Sequence, residues 1–150
     1  MSKLKEQLYL QCGEYLRTKE AEIKTAINEA QEAANSDTKS SAGDKFETGR
    51  ESMQQEIDLN LTRLGELNKQ KQVLENIIPV QKGSVVMPGS VVHTNNGNYY
   101  IAISAKQLRA DGVIYFAISI SSPIGEKMAG KKAGEWFEMN GKKYMIESVA

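Results

Sequence analysis

Apolar and small side chains recur every three or four residues through most of residues 1–78, which is the period of a helix with one buried face. The first run contains Leu4, Leu8, Cys12, Tyr15, Ile23, Ala26, Ala30 and Ala33, and the second contains Met53, Ile57, Leu61, Leu64, Leu67, Leu74 and Ile78. Residues 35–44, between the runs, carry no large apolar side chain and indicate a turn. Long helices with narrow apolar stripes bury them by pairing. The sequence therefore predicts an antiparallel helical hairpin, a coiled coil, with its tip at about residues 36–47.

The composition of the chain changes near Pro79. All three prolines lie at or beyond this residue, and only four of the 12 glycines come before it. Residues 1–78 carry 11 basic and 14 acidic side chains, whereas residues 79–150 carry 8 basic and 5 acidic ones, so a net charge of −3 is followed by one of +3. This change in both charge and residue usage predicts two domains, residues 1–78 and residues 79–150.

The second half has the alternation and the turns of a small sheet. Strands are predicted at residues 85–94, 99–103, 113–120, 135–139 and 143–147, with one short helix within residues 124–130. Asn-Gly pairs at 96–97 and 140–141 favour tight hairpins, because these residues tolerate positive φ. The aromatic side chains expected in the core are Tyr99, Tyr100, Tyr115, Phe116, Trp136 and Phe137. The predicted fold class is α+β, a helical hairpin followed by a small antiparallel β-rich domain.

Several classes of protein are excluded by what the sequence lacks. A single cysteine, Cys12, allows no intramolecular disulfide and no cysteine-based zinc cluster, and a single histidine, His93, argues against a histidine-rich metal site. Cys12 lies on the helical stripe and His93 in a strand, so we expect structural roles for both. The chain has no phosphate-binding glycine motif, and its zero net charge argues against an electrostatic nucleic-acid binder. Without a leader-like or membrane-spanning segment, we expect a cytoplasmic protein.

Two acidic residues stand three positions apart where the second helix is expected to begin. In the segment Gly43-Asp44-Lys45-Phe46-Glu47, Asp44 suits the N-cap and Glu47 the third helical position, an arrangement that needs no function. Alternatively, the two carboxylates supply part of a Mg²⁺ site that another molecule completes. Phe46, apolar and near the tip, either contacts a partner or covers the end of the hairpin.

These features together resemble the Gre family of bacterial transcript cleavage factors. The resemblance covers essentially the whole chain, in order and spacing. It rests on Gly43-Asp44-Lys45-Phe46-Glu47, Gly89-Ser90-Val91-Val92, Ser119-Ile120-Ser121-Ser122-Pro123-Ile124-Gly125, Gly130-Lys131-Lys132-Ala133-Gly134-Glu135 and Tyr144-Met145-Ile146-Glu147-Ser148-Val149.

The resemblance implies a function that depends on a partner. A C-terminal domain of FKBP-like fold would bind RNA polymerase at its secondary channel, with Ser122, Pro123, Ile124 and Gly125 in the contact. The hairpin would reach into the channel, where Asp44 and Glu47 would help to hold a Mg²⁺ ion shared with the polymerase and Lys45 and Phe46 would contact the complex. The factor would then stimulate cleavage of backtracked RNA without being an enzyme itself. It would contact nascent RNA only in the complex and have no independent sequence-specific DNA binding.

The tip differs from the family pattern, and this keeps other functions open. The family usually has Leu-Ser between the two acids, where this chain has Lys45-Phe46. The retained acids favour cleavage, whereas Lys45 and Phe46 favour a channel-binding regulator that does not stimulate cleavage. A peptidyl-prolyl isomerase would need an aromatic-lined pocket in the second half. A plain coiled-coil adaptor would leave the tip acids and the β-domain motifs without a role.

Overall fold

The computed structural model describes residues 2–37, 43–78 and 83–150; for residues 2, 36, 37 and 43–48 it describes the backbone only. The elements are α1 (Ser2–Asp37), α2 (Gly43–Glu75), β1 (Val91–Thr94), β2 (Gly97–Ile101), β3 (Gln107–Ala110), β4 (Val113–Ile118), α3 (Pro123–Met128), β5 (Trp136–Met139) and β6 (Lys142–Val149). The predicted α+β class, a helical hairpin followed by a small β-rich region, is confirmed. None of the helices in these ranges is long and apolar enough to cross a membrane.

The chain forms two compact units. Unit 1 comprises Met1–Tyr15 and Lys71–Ala150, and unit 2 comprises Leu16–Gln70. Each long helix therefore contributes to both units. The predicted division into domains at residue 79 stays a prediction.

In unit 2, the seam between the helices follows a stricter period than the predicted stripe. The buried positions of α2 pass through Ile57, Asn60 and Leu67 and continue to Leu74 in unit 1, with intermediate burial at positions 64 and 71. These steps alternate three and four residues, the 3.5-residue period of paired helices. The prediction that Leu61 belongs to the buried stripe is wrong, because Leu61 is 51% exposed and Asn60 is buried instead.

Asn60 lies in this seam with both groups of its side-chain amide hydrogen-bonded. Its Nδ2 donates to the carbonyl oxygen of Glu56 at 3.0 Å, and its Oδ1 accepts from Arg63 at 3.5 Å. Both partners are on the same helix, so the buried polar group is satisfied locally.

Unit 1 is built on one six-stranded sheet with the order β3-β4-β2-β1-β6-β5. Four of the pairings are antiparallel, but β2 and β4 run parallel, with Tyr99 opposite Phe116. The prediction was an antiparallel sheet; the observed sheet is mostly antiparallel, with one parallel pair. It also has six strands instead of about five, because Gln107–Ala110 forms an additional edge strand.

Both faces of the central strands are buried. One face packs with α3 around a cluster made of Val86, Val92, Tyr99, Ile101, Met128, Phe137 and Ile146. The alternate residues, Val91 and Tyr100, are also fully buried, as are Leu8 and Cys12 of α1 in the same unit. Phe137 stacks on Tyr144 with ring centroids 4.8 Å apart. The predicted core is correct for four of its six aromatic residues; Phe116 and Trp136 are 37% and 51% exposed.

Candidate functional site

The backbone places both tip acids inside α2. The helix begins at Gly43, so Asp44 is its second residue instead of its N-cap, and Glu47 follows three positions later. Positions three apart on a helix lie on one face. The helix N-terminus also favours negative charge, because its first N–H groups are unpaired and the helix dipole is positive there. The side chains of Asp44, Lys45, Phe46 and Glu47, and residues 38–42 of the turn predicted at residues 35–44, lie outside the part that the structure describes.

The Ser-Pro-Ile-Gly segment forms the start of α3. Ser122 is the N-cap: its Oγ accepts from the N–H of Gly125 at 3.1 Å and donates to the carbonyl oxygen of Ser119 at 2.6 Å. Pro123 follows in the first turn, where its missing N–H costs no helical bond. The prediction that this segment ends the strand is confirmed, and the short helix predicted within residues 124–130 is found at Pro123–Met128.

Gly125 is required by a close approach of the backbone. A Cβ at this position would lie 2.1 Å from the carbonyl oxygen of Ser119 and 2.9 Å from that of Ile120. No side chain fits there without movement of the chain. Gly125 is buried and Ile124 packs partly against the core cluster, which leaves Pro123 as the exposed member of the predicted contact segment. The motif therefore has a structural cause of its own, and its contact with a partner stays a prediction.

An apolar surface lies on β4, just before this segment. Ile114 and Phe116 are exposed, and Phe116 contacts Tyr99 with ring centroids 5.8 Å apart. An open cavity of about 490 Å³ is found between the helices of unit 2, but the cavity next to Phe116 is larger, about 610 Å³. Its lining consists of Ala105, Lys106, Gln107, Phe116, Ala117 and Ile118. We refer to Ile114, Phe116 and this cavity as the β4 surface.

The sequence analysis missed the β4 surface because it assigned six aromatic side chains of the second half, Phe116 among them, to the core. The available signal was the strict alternation of a strand. In β4, Tyr115 and Ala117 are buried while Ile114 and Phe116, which point to the other face, are exposed. Phe116 is the one aromatic residue among the described residues that line the cavity.

Cys12 and His93 have the structural surroundings that were expected. Burial raises the pKa of the Cys12 thiol to about 12, so it stays protonated and unreactive at neutral pH. His93 has its Nδ1 3.1 Å from the Ser148 hydroxyl and its Nε2 3.4 Å from the Tyr115 hydroxyl. Burial raises the pKa of Tyr115, and the negative charge of nearby Asp111 adds a smaller increase, so the Tyr115 hydroxyl stays neutral.

Among the side chains that the structure describes, no group of three or more His, Cys, Asp or Glu residues is arranged to hold a metal ion. The acid pair at 44 and 47 is outside that set, so a role in metal binding rests on its sequence position and on the helical backbone that carries it. Comparison with protein-family models and with curated proteins finds no match to this chain.

Proposed function

We propose that this chain is a Gre-like transcription elongation factor that acts in the cytoplasm of a bacterium. It binds RNA polymerase at the secondary channel and stimulates cleavage of backtracked RNA by the polymerase. The observation that carries the proposal is the position of the two acids: Asp44 and Glu47 both fall in the first five residues of α2, three apart on the helix. The α+β architecture, with the hairpin preceding a small sheet, supports it. An FKBP-like fold for that sheet region is part of the proposal.

The chemistry of the acid pair suits a shared magnesium site. Mg²⁺ prefers oxygen ligands and is usually held by one or two carboxylates together with water and substrate phosphates. Asp44 and Glu47 would provide the carboxylates, and the polymerase and its RNA the remaining ligands. A bound ion of this kind lowers the pKa of an attacking water or stabilises a leaving oxygen in phosphoryl chemistry. The contribution of this chain is to deliver the two carboxylates on a helix, without forming a complete active site.

The β4 surface is the proposed contact with the polymerase. It exposes Ile114 and Phe116 in the strand that leads into Ser122 and Pro123, so an apolar patch and the start of α3 adjoin along the chain. Exposed apolar patches bordered by polar residues are typical of protein–protein contact sites. Lys106 and Gln107 provide that border here.

The first test is cleavage of labelled RNA in stalled, backtracked elongation complexes, measured with Mg²⁺ and with or without the protein. The double variant Asp44→Asn, Glu47→Gln removes both charges, and we expect it to bind the polymerase while losing at least about tenfold in stimulated cleavage. The control is Glu51→Gln, Glu56→Gln, which removes two exposed charges further along α2 and should retain stimulation. Equal stimulation by the tip variant and the wild type would refute the metal-ligand role.

The same assay separates cleavage from simple occupation of the channel. Lys45 lies between the two acids and places a positive charge beside them in the sequence. If the wild type binds the polymerase and slows elongation without accelerating cleavage, the protein is a channel-binding regulator. In that case, the acids would be dispensable for its effect, and substitution of Lys45 and Phe46 would abolish it.

A second prediction concerns docking. Phe116→Ser removes an exposed aromatic anchor, and we expect it to weaken binding to the polymerase by about tenfold or more, because such anchors carry most of the binding free energy in an interface. Trp136→Ser is the matched control, since Trp136 is an even more exposed aromatic residue, on the edge strand at the other end of the sheet. Competition between each variant and labelled wild-type protein measures the effect. Equal loss in both variants, or none in Phe116→Ser, would show that the β4 surface is not the contact.

A further inference from the structure

Strand β3 forms one edge of the sheet, and part of its outer side is exposed for pairing. The hairpin β3–β4 has a two-residue turn at Asp111 and Gly112, with Ala110 opposite Val113. Hydrogen-bonded and non-hydrogen-bonded pairs alternate from such a turn, so Leu108 bonds to β4 whereas the backbone groups of Arg109 point outward. An outward N–H and C=O on an edge strand are the groups with which a strand from another molecule would pair.

The side chain of Gln11 occupies that position on Arg109. Its Nε2 donates to the carbonyl oxygen of Arg109 at 2.8 Å, and its Oε1 accepts from the N–H of Arg109 at 3.1 Å. One primary amide therefore makes the two hydrogen bonds that a residue of a neighbouring strand would make. The contact lies within unit 1, where Gln11 is on α1 between the fully buried Leu8 and Cys12.

The surroundings of Arg109 combine an open strand edge with an exposed apolar side chain. Gln107, two residues earlier, also directs its backbone groups outward, and they have no hydrogen-bond partner among the residues that the structure describes. Opposite Gln107 is Phe116, whose exposed ring adjoins the cavity of the β4 surface. An exposed edge beside an apolar side chain favours pairing between copies of a chain, and a capped position in the middle of a four-residue strand interrupts the required run of bonds.

We propose that Gln11 is a built-in cap that prevents β3 from pairing with the β3 strand of a second copy of this chain. The cap acts by satisfying the outward N–H and C=O of Arg109 from within the molecule. Without it, two adjacent outward positions, Gln107 and Arg109, become available on the same edge. The inference concerns the fold alone and is independent of the polymerase.

The test compares the full-length variants Gln11→Met and Gln7→Met with the wild type. Methionine keeps the length and helix propensity of glutamine but forms neither hydrogen bond. Gln7 is an exposed glutamine one helical turn earlier, and its side chain forms no hydrogen bond with any residue in the described part of the chain, so it controls for the substitution itself. Amide exchange measured by NMR reports on the cap at Arg109, and exchange at Leu108, which bonds within the hairpin, reports that β3 remains folded.

We expect Gln11→Met to speed exchange of the Arg109 amide by about tenfold while Leu108 stays protected, and Gln7→Met to change neither. We also expect sedimentation velocity to show concentration-dependent dimers of Gln11→Met and none of the wild type. Unchanged exchange at Arg109 would overturn the cap. Lost protection at Arg109 with no gain in association at any concentration would overturn its protective role. If Leu108 also loses protection in Gln11→Met, the variant Gln11→Glu is used in its place. Its carboxylate keeps an acceptor for the Arg109 N–H but repels the Arg109 carbonyl oxygen. The same measurements of Arg109 exchange and of association then test the proposal.

Discussion

At the scale of single residues, Gly125 shows how a motif can be fixed by packing. Its backbone passes so close to Ser119 that a Cβ would lie 2.1 Å from the carbonyl oxygen, and its N–H is bonded to the Ser122 cap. We predict that Gly125→Ala destabilises unit 1 by about 2–3 kcal/mol, because the start of α3 must move away from Ser119 and Ile120, which follow β4. Urea unfolding followed by the fluorescence of Trp136, which is in unit 1, measures this.

Gly65 provides the matched control with the opposite sign. It lies within α2, and a Cβ there would meet no atom within 4 Å. Gly65→Ala should stabilise the helix by about 1 kcal/mol, since alanine loses less backbone entropy than glycine and has a higher helix propensity. Because Gly65 is in unit 2, its effect is measured by urea unfolding followed by the helical circular dichroism signal. Loss of stability in Gly65→Ala, or none in Gly125→Ala, would contradict the packing argument.

At the scale of elements, the helices were predictable and part of their seam was not. The three- and four-residue steps of the sequence identify α1 and α2, but Asn60 and Leu61 both satisfy that spacing. Hydrophobicity favours Leu61, whereas the alternating three-four register buries Asn60. The buried asparagine is tolerated because its amide bonds to Glu56 and Arg63 on the same helix. A polar residue in the seam is thus visible only once the partner helix fixes the register.

The strands divide in a similar way. The Asn140-Gly141 turn could be predicted because asparagine and glycine tolerate positive φ, and the two residues do take φ of +53° and +77°. Asp111-Gly112 has nearly the same conformation, with φ of +51° and +77°, and it was the signal for β3, whose short segment contains only two apolar residues. The parallel pairing of β2 with β4 was beyond local reasoning, because strand order depends on contacts between distant residues. Thus turn chemistry predicts hairpins but not the arrangement of the sheet.

For the whole molecule, the spacing of the two tip acids could be predicted from the sequence, whereas the β4 surface could not. The acid pair at 44 and 47 is a local spacing on one helix, which any helical reading places together. The β4 surface is on the same face of the sheet as α3, and it depends on how far along that face α3 extends, which follows from tertiary packing. The two proposed parts of the function thus rest on different kinds of information, and the cleavage and competition assays test them separately.

The division into two units has a consequence for stability. Unit 1 buries both faces of its central strands, whereas the core of unit 2 consists of isolated positions along two helices, among them Leu16, Ala30 and Ile57. Because little apolar surface resists local opening in unit 2, we predict that its amides exchange at least about tenfold faster than those of β1, β2 and β4. Hydrogen exchange with mass spectrometry measures this difference.

Helix α1 contains an internal control for this measurement. The segment around Leu8 and Cys12 belongs to unit 1 and should stay protected, while residues 17–35 of the same helix exchange. Uniform protection along α1 would contradict the prediction and would mean that the helical hairpin and the sheet unfold as one cooperative structure.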